Sequence, residues 1–592
     1  MQKLAYRLKA LGCTPQVLLM RLISAFFLTS AVFLLAGEQP SDSAEFVANV
    51  ELWSLILFLL AGVVLQSIVF YFVKNIRAEK TVLLVFSLFY ACTALYNTND
   101  TYLFLALCAV EAAVAVYCCT GEAIRLIKNN KFITVGVYAA LAAVFSVFVG
   151  GLTALRYKMY IAPCFDFGIF AQMFESMRKT GLPMTTCERD LPLSHFSVHL
   201  SFIYYLILPF YYIFSNPAFL NIAQAVILAS GLLPLYLICK KKGLSNGVTL
   251  AVGVIYTFYP ALSAGCFYDI HENCFLTPLL LWLLYAIDVD STAGLILSAI
   301  AICAVKEDAP VYVMFVCIYM FFAKKKILKP ALLLLCTVGY FLAAVKYLDT
   351  YGDGAMLYRY SNLGGSLQSI LKNVIVNPGY VFSQCLDGEK LEFALKMLLP
   401  LGFLPLISRK LYNYILLGPF MLINLMSYYP YQHSLDFQYN FGAAALLLYL
   451  TADNISMLKI DVRRVVAVLC AAASLLGTFT FVSGKMSYIN YYRMTADDCA
   501  RIDEVVELVP ADATVSASTF ILPHLASHEV LYQINGSNYE TAGRTEYAVL
   551  DLRYAEFADL YPLYIEAGYE VVEYIEGAAA LLRCPFYAGI AD

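Results

Sequence analysis

Apolar runs of about twenty residues, separated by short polar turns, recur along most of this 592-residue chain. A helix needs about 20 apolar residues to cross the hydrocarbon core of a bilayer. The pattern therefore predicts a polytopic α-helical membrane protein with about fifteen transmembrane helices. The predicted spans are residues 17–36, 51–73, 81–97, 101–119, 132–152, 218–238, 247–262, 275–288, 292–305, 309–323, 328–348, 393–407, 411–427, 437–452 and 465–483.

Basic turns predict the orientation of these spans, because short cytoplasmic loops are enriched in Lys and Arg. The turns at 74–80 and 120–131 are basic and the loop at 37–50 is acidic, so we expect a cytoplasmic N-terminus. The three lysines at 240–242 return to the cytoplasm only if segment 196–214 does not cross the membrane. That segment is short, rich in tyrosine and interrupted by proline. We expect it to lie in the outer interface.

The C-terminal part, residues 484–592, is more polar and has a different pattern. Short apolar runs alternate there with stretches of helical periodicity, which predicts a small α/β domain. The topology places this domain outside the cytoplasm. The predicted strands are 513–519, 529–534, 547–552, 569–575 and 579–584.

The composition agrees with a membrane protein, since 61% of the residues are hydrophobic and only 14% are charged. A net charge of −4 gives no sign of a nucleic-acid partner. Most of the 17 cysteines fall in apolar runs, where they act as small hydrophobic residues. The spacing allows a Cys266–Cys274 or a Cys164–Cys187 disulfide and does not favour either.

The most informative interruption of the apolar pattern is the segment 156–199, which is polar and rich in aromatic residues. Loops of this length are uncommon and usually functional. This one carries Arg156, Asp166, His195 and His199 next to a predicted membrane bundle. Charged groups and imidazoles in that position are costly unless they do chemistry or pair with other groups.

Two roles are open for each of the prominent side chains in this loop. Asp166 heads a predicted amphipathic helix over 166–179, where it serves either as the N-cap or as a general base or metal ligand. His195 and His199 are four residues apart, so a helix would place them on one face. That spacing fits either a metal-binding pair or an interfacial aromatic pair.

The expected topology collects other unusual polar residues on the same outer side. They are Asp269, His271 and Glu272 after span 247–262, Lys306, Glu307 and Asp308 between spans 292–305 and 309–323, and Arg359 and Tyr360 in the third outer loop. This co-location predicts one functional site. The alternative is that outer loops are polar simply because they face water.

The types of these residues indicate phosphate chemistry. Lys306 and Arg359 are candidates to neutralise a phosphate, and Asp166, Glu307 and Asp308 are candidate ligands of a divalent metal such as Mg or Mn. The alternatives are a self-neutralising Lys306–Asp308 cluster and an interfacial arginine anchor. The sequence lacks GxxxxGK[ST] and GxSxG motifs, so ATP-driven transport and serine hydrolysis have no support.

Several motifs resemble a family of predicted bacterial and archaeal membrane proteins, domain of unknown function 2079. They are Phe165-Asp166-Phe167-Gly168-Ile169-Phe170-Ala171-Gln172, Ser194-His195-Phe196-Ser197, Lys306-Glu307-Asp308, Arg359-Tyr360 followed by Leu363-Gly364, and Leu522-Pro523-His524-Leu525. The resemblance runs from about Phe132 to the end of the chain. It implies an N-terminal four-helix addition at 1–131, a membrane core at 132–483 with an outer loop at 153–199, and the α/β domain at 484–592.

That family in turn resembles the GT-C glycosyltransferases, whose first large outer loop carries an acidic residue. The resemblance implies a bacterial cytoplasmic-membrane enzyme with a polyprenyl-phosphate sugar donor and a glycan, lipid or protein acceptor. It implies Asp166 as the catalytic carboxylate. If Asp166 does not serve, we expect Glu272 or Asp269 of the outer turn to supply the base. The expected substrate-binding residues are Arg156, His195, His199, His271, Lys306, Arg359 and Tyr360.

Chemistry of this kind needs no nucleotide, because the lipid phosphate is itself the leaving group. A base deprotonates the acceptor hydroxyl, which attacks the anomeric carbon with inversion, and cations stabilise the departing phosphate. Two other classes stay open. One is a transporter or flippase that uses intramembrane charges such as Glu111 and Lys346, and the other is an envelope-assembly scaffold.

Overall fold

A computed structural model describes residues 14–37, 50–120, 130–354, 356–535 and 543–587. The predicted acidic loop at 37–50 and the basic turn at 120–131 lie almost wholly outside these residues. The described chain is predominantly helical and ends in a small sheet.

Four long apolar helices account for most of the described N-terminal residues. They are α1 (Pro15–Ala36), α2 (Leu52–Val73), α3 (Ile76–Leu95) and α4 (Thr101–Cys119). Helix α1 packs against α2 and α3. Arg21 on α1 and Glu79 on α3 form a buried ion pair with 2.9 Å between Nε and Oε2. Pairing of this kind lowers the cost of charges inside a helical bundle.

The core follows with fourteen helices and several shorter helical turns. The helices are α5 (Lys131–Lys158), α6 (Ile169–Thr180), α7 (Ala218–Ser230), α8 (Leu232–Lys241), α9 (Asn246–Thr257), α10 (Leu276–Asp288), α11 (Thr292–Cys303), α12 (Pro310–Lys324), α13 (Leu328–Tyr351), α14 (Leu367–Val376), α15 (Pro378–Ser383), α16 (Gly388–Leu398), α17 (Phe441–Met457) and α18 (Ile460–Phe481). Helix α17 is buried over nearly its whole length and lies at the centre of the core. Helix α18 packs against α3 and α4, which joins the N-terminal helices to the core.

Within the described residues, eight helical segments are long and apolar enough to cross a membrane, with α7 and α8 counted together as Ala218–Lys241. The number becomes nine if α9 and the bent segment Pro260–Tyr268 together form one span. Several other predicted spans coincide with shorter apolar helices, including α11 and α12. The membrane class is therefore clear, and the total of about fifteen crossings stays a prediction.

The predicted span at 393–407 is wrong as a continuous helix. Helix α16 ends at Leu398, and two short 3-10 turns follow it, Leu399–Leu401 and Leu404–Leu406. Each turn contains a proline, which removes a backbone donor and clashes with the preceding turn. Gly402 between them has φ +59°, a conformation that favours glycine. Residues 411–425 likewise form 3-10 and π segments rather than an α-helix.

Segment 196–214 forms only short helical turns. They are His195–Ser197, Phe202–Leu206 and Leu208–Tyr211. None is long enough to cross a bilayer, since about 20 helical residues are needed. This agrees with the expectation that the chain does not return through the membrane here.

The basic turns gather at one end of the core. Lys242 lies 2.7 Å from Asp453 and 3.0 Å from Asp288, and Lys410 lies 3.2 Å from the same Asp453. These contacts join the ends of α8, α10 and α17. The turn between α11 and α12 and the loop before α17 lie at the opposite end of the core. The predicted polar turns and the basic turns are therefore separated by the length of the core helices.

The C-terminal part begins with α19 (Ser487–Val506) and continues into a five-stranded sheet. Its strands are β3 (Val515–Ser518), β4 (Leu531–Ile534), β5 (Tyr547–Asp551), β6 (Glu570–Ile575) and β7 (Ala579–Arg583). Strands β1 (Met184–Thr185) and β2 (Leu193–Ser194) form a separate two-stranded ribbon in the outer loop. The order is β4-β3-β5-β7-β6, with β3 parallel to β4 and β5, and β7 antiparallel to β5 and β6. All five predicted strands and the small α/β unit are confirmed.

Candidate active site

A tight turn before α6 presents Asp166. The helix begins at Ile169, and its N-cap, Gly168, makes no side-chain capping bond. The predicted helix start at Asp166 and its N-cap role are therefore wrong. Asp166 has φ +66° and ψ −65°, an unusual conformation for a residue with a side chain. Such strained residues persist where the surrounding structure holds them, and they cluster at functional sites.

A second strained turn, with the sequence YDIHEN, faces the first. Asp269 has φ +91° and ψ 176°. The Gln224 side chain on α7 holds this turn, because it donates to the Asp269 carbonyl at 2.8 Å and accepts from the His271 amide at 2.9 Å. The turn thereby places the His271 imidazole beside Asp166.

Asp166 and His271 form the centre of the site. Asp166 Oδ2 lies 3.6 Å from His271 Nε2, and 34% of the Asp166 side chain is exposed. Tyr268 stacks on the His271 ring, with 5.5 Å between ring centres. Burial raises the pKa of Asp166, but His271, the Tyr268 hydroxyl and Lys306 outweigh burial and lower this pKa to about 2. Asp166 is thus an ionised carboxylate.

The other two candidate catalytic carboxylates, Glu272 and Asp269, each form an ion pair with a basic side chain. Glu272 is fully buried and accepts from the Tyr204 hydroxyl at 2.7 Å, while Lys306 Nζ lies 2.8 Å from its other oxygen. Asp269 accepts from Arg156 at 2.7 Å. Burial raises the pKa of Asp269, and Arg156 only partly offsets this rise. In the described structure both carboxylates and Arg156 lie behind the cavity wall rather than on it.

His195 and His199 each pair with a carboxylate. His195 Nδ1 lies 3.0 Å from Glu188, and His199 Nδ1 lies 2.9 Å from Glu307. Burial lowers the pKa of His195, but Glu188 outweighs burial and the net pKa is raised. Burial also opposes ionisation of Glu307, yet His199 lowers the pKa of Glu307 to about 2. The two imidazoles therefore extend the polar network around Asp166.

The predicted metal ligands do not form a donor set. No group of three or more His, Cys, Asp or Glu side chains in the described residues is placed to hold a metal ion. Glu307 is engaged by His199 and by the Leu200 amide, at 3.2 Å. Burial raises the pKa of Asp308, which is absent from the described cavity lining. We therefore derive no step through a metal.

Arg359 is the unusual cation of the site. Its guanidinium lies over the rings of Tyr429 and Tyr439, 4.6 Å and 5.2 Å from their centres. Among the described residues no carboxylate forms an ion pair with Arg359, and its Nε has no hydrogen-bond partner. Tyr360 packs beside the core, and burial raises the pKa of its hydroxyl. Arg359, and not Tyr360, lines the cavity.

These groups surround a cavity of about 240 Å³. One wall carries the carboxylate of Asp166 and the imidazole of His271. Another carries Lys306 and Arg359. Aromatic rings complete the enclosure, and the described lining rings include Phe165, Tyr268, Tyr358, Tyr429, Tyr431, Phe437 and Tyr439.

Sequence reasoning missed most of these aromatic residues and Glu188. The segment 428–439 had a usable signal, because it concentrates tyrosines in an outer loop. The partner of His195 had no local signal, because Glu188 resembles any polar loop residue until the ribbon of β1 and β2 brings the two together.

The C-terminal domain holds the loop that carries Asp166. The His524 ring stacks between Tyr157 and Tyr160, with centroid distances of 4.0 Å and 3.7 Å. Arg553 donates to the Tyr160 carbonyl at 2.9 Å. Burial lowers the pKa of His524 to about 3, so this ring is neutral and structural. The stacked rings fix the end of α5 directly before the Asp166 turn.

A second set of contacts fixes the far side of the same loop. Thr186 Oγ1 donates to the Leu531 carbonyl at 2.8 Å and accepts from the Leu531 amide at 2.9 Å. Cys164 and Cys187 lie within this packing. All cysteines in the described residues are free thiols, so neither predicted disulfide is present. Strand β4 anchors the loop through the two hydrogen bonds of Thr186.

The fold and this site define a multi-pass membrane protein with a small α/β domain packed on its polar end. Residues 156–564 match the family model described as predicted membrane protein (DUF2079). The chain belongs to this family. The match is shorter at both ends than the expected range from about Phe132 to the C-terminus.

Two crystal structures of ArnT from Cupriavidus metallidurans are similar to this chain. One, bound to undecaprenyl phosphate, has a TM-score of 0.46 and 11% identity over 78% of this chain and 100% of that chain. The other, in the apo state, has a TM-score of 0.44 and 12% identity over 76% of this chain and 97% of that chain. No curated protein matches.

Proposed function

We propose that this protein is a membrane glycosyltransferase of GT-C type. It transfers a sugar from a polyprenyl-phosphate donor to a cell-envelope acceptor on the outer face, with inversion. The observation that carries the proposal is that Arg359 and Asp166 both line one aromatic cavity. A guanidinium without a carboxylate partner is suited to the donor phosphate, and an exposed carboxylate is suited to the acceptor hydroxyl.

The electrostatics of Arg359 support an anionic ligand. A half-buried guanidinium loses hydration, and the two tyrosine rings replace only part of it. An arginine can bind two phosphate oxygens at once through parallel N–H donors. Lys306, on the same cavity, adds a second positive charge, although Glu272 already neutralises part of it.

The aromatic walls support a sugar next to that phosphate. Tyr431 and Phe437 lie 4.4 Å apart between ring centres, and Phe437 lies 4.4 Å from Tyr268. Rings of this kind provide apolar faces, and the tyrosines add hydroxyl groups for hydrogen bonds. A small cavity with a few polar groups and aromatic walls is a common form of ligand site.

An apolar groove supports a prenyl chain. The groove has a volume of about 610 Å³ and lies between α11 and α13. Cys303 and Ala304 line it at the end of α11, directly before the turn that carries Lys306, and Lys329 lines its opposite end. A lipid chain in this groove would therefore begin beside the proposed phosphate site.

The reaction that these groups would perform is a displacement at the anomeric carbon. Asp166 accepts the proton of the acceptor hydroxyl as the oxygen forms its bond to that carbon. The bond from the anomeric carbon to the phosphate oxygen breaks, and its electron pair leaves with the phosphate. Arg359 and Lys306 stabilise the negative charge that develops there.

Donor binding would change the pKa of Asp166. Burial raises this pKa, and His271, the Tyr268 hydroxyl and Lys306 together lower it to about 2; a bound phosphate would neutralise part of the Lys306 charge. The donor phosphate would thus raise the pKa of Asp166 toward a value at which it is a better base. His271 keeps the carboxylate oriented.

The transport alternative gains no support from the membrane charges. Glu111 lies in the N-terminal helices, where Ser87 donates to it at 3.1 Å. In the described structure it does not line the cavity.

Two measurements test the proposal. One is acceptor-dependent release of free polyprenyl phosphate by wild type, and the other is donor binding by variants of the cavity. Purified protein in lipid nanodiscs would receive a set of radiolabelled polyprenyl-phosphate sugars and an envelope extract as acceptor. We expect Arg359→Ala to weaken donor binding about ten-fold or more. Arg409→Ala, at the exposed basic end, is the matched control and should bind like wild type. If Arg359→Ala binds the donor as tightly as wild type does, Arg359 does not bind the donor phosphate.

A further inference from the structure

A second cleft, polar and about 570 Å³ in volume, lies beside the candidate active site. The loop 430–440 separates the two. Tyr431 and Phe437 of this loop line the active cavity, whereas His433 and Asp436 line the second cleft. A ligand in the cleft would therefore rest against a wall of the active cavity.

The N-terminal helices complete this cleft. Asn97 and Asn99, in the turn between α3 and α4, form one of its walls. The Asn97 amide donates to Ser483 Oγ at 2.8 Å, and Thr101 Oγ1 donates to Glu392 on α16 at 2.9 Å. The family match begins at residue 156, so this wall comes from outside the matched region. The core alone would leave the cleft open on that side.

An unpartnered polar atom in the cleft indicates a ligand. Only 7% of the His433 side chain is exposed, yet its Nδ1 has no hydrogen-bond partner among the described residues. Its other ring nitrogen lies 3.9 Å from Glu389, whose side chain is 85% exposed. Buried polar atoms are normally hydrogen-bonded, and one left without a partner is costly. A turn of the ring toward the cleft would bring this nitrogen within reach of a ligand hydroxyl that could satisfy it.

The chemistry of the lining favours an uncharged ligand rich in hydroxyl groups. The carboxylates of Glu389, Glu392 and Asp436 oppose the ammonium groups of Lys396 and Lys485, so the cleft has little net charge. It therefore does not select an anion as the active cavity does. The described lining also supplies amides, hydroxyl groups and aromatic rings. Donors, acceptors and ring faces together are suited to saccharides.

We propose that this cleft binds the carbohydrate part of the acceptor, an inference that rests on the proposed transferase function. The acceptor would lie across the loop 430–440, with its reacting hydroxyl in the active cavity. The N-terminal helices would then select the acceptor, and the core would bind the donor.

The test is direct saccharide binding by saturation-transfer NMR. Full-length protein in nanodiscs would be mixed with the neutral tetrasaccharides cellotetraose and chitotetraose. The double variant Glu389→Gln/Asp436→Asn removes two carboxylates that line the cleft, and we expect it to weaken binding about ten-fold or more. Glu556→Gln/Asp512→Asn makes the same chemical changes on the exposed C-terminal domain and should bind like wild type.

Arg359→Ala separates the cleft from the donor site. We expect this variant to lose donor binding and to keep saccharide binding. Failure of wild type to bind either tetrasaccharide, or equal binding by the cleft variant, would overturn the acceptor site. Saccharide binding that depends on Glu389 and Asp436, without release of polyprenyl phosphate by wild type, would support the cleft and overturn the transferase function.

Discussion

The buried pair of Lys306 and Glu272 gives the sharpest test of how the site is built. Glu272→Gln removes the negative charge that lies 2.8 Å from Lys306 Nζ, and both side chains are at least 95% buried. Breaking such a pair leaves one uncompensated buried charge and typically costs 3–5 kcal/mol. We therefore expect a clear fall in the apparent melting temperature of the detergent-solubilised protein.

A double variant distinguishes this effect from loss of a catalytic base. Glu272→Gln/Lys306→Met removes both charges and should recover most of the lost stability, because no unpaired ion remains. It should still bind the donor phosphate more weakly than wild type. If Glu272→Gln is as stable as wild type and inactive, the reasoning is refuted, and Glu272 becomes the better candidate for the base.

Three further predictions concern the domain contact, pH and topology. His524→Ala removes two stacked ring contacts, each worth about 0.5–1.5 kcal/mol. This variant should have a lower turnover and unchanged donor binding. Unchanged turnover would show that the C-terminal domain does not position the loop. Burial raises the pKa of Glu307, but His199 outweighs burial and lowers this pKa from 4.5 to about 2, so the stabilisation by the ionised carboxylate should be present above pH 4.5 and lost as the pH falls toward 2. Melting temperatures of wild type should therefore fall more steeply over that range than those of Glu307→Gln, and parallel curves would contradict the pairing. Ser245→Cys should be labelled only from the cytoplasmic side and Asp512→Cys only from outside, and the reverse labelling would refute the orientation.

The sequence predicted well wherever a local pattern decides the structure. The strands β3 to β7 follow from short apolar runs bounded by turns, and each was found within two residues of its expected bounds. Segment 196–214 was expected not to cross, from the lysines at 240–242 and from its own short, proline-interrupted and tyrosine-rich sequence, and it forms only short helical turns. Both inferences use periodicity or charge within a short stretch of chain.

The ionic partners could not be predicted in this way. Arg156 and Asp269 are 113 residues apart, and His199 and Glu307 are 108 apart. Nothing local tells which carboxylates will be neutralised in the folded chain. The sequence therefore placed Asp166 first and kept Asp269 and Glu272 as alternatives, and of these three Asp166 is the one that lines the cavity.

Backbone strain was a further limit on prediction from sequence. The pattern at Asp166 is typical of an N-cap, and the residue types give no warning of a positive φ. The C-terminal domain packs directly against this turn: a Cβ added at Gly168 would lie 2.9 Å from Leu522 Cδ2, and the Cys164 amide donates to Thr519 Oγ1 at 3.0 Å. A conformation imposed by residues more than 350 positions away is not visible in local sequence.

The central claim is that Asp166 removes the acceptor proton. The most direct measurement compares acceptor-dependent release of polyprenyl phosphate by wild type, Asp166→Asn and the exposed control Asp512→Asn, with melting temperatures recorded in parallel. Asparagine keeps the size of the side chain and loses its charge. We predict that Asp166→Asn keeps the wild-type melting temperature. Its rate of polyprenyl-phosphate release should fall by about 10²-fold or more. Wild-type release by a folded Asp166→Asn variant would contradict the account.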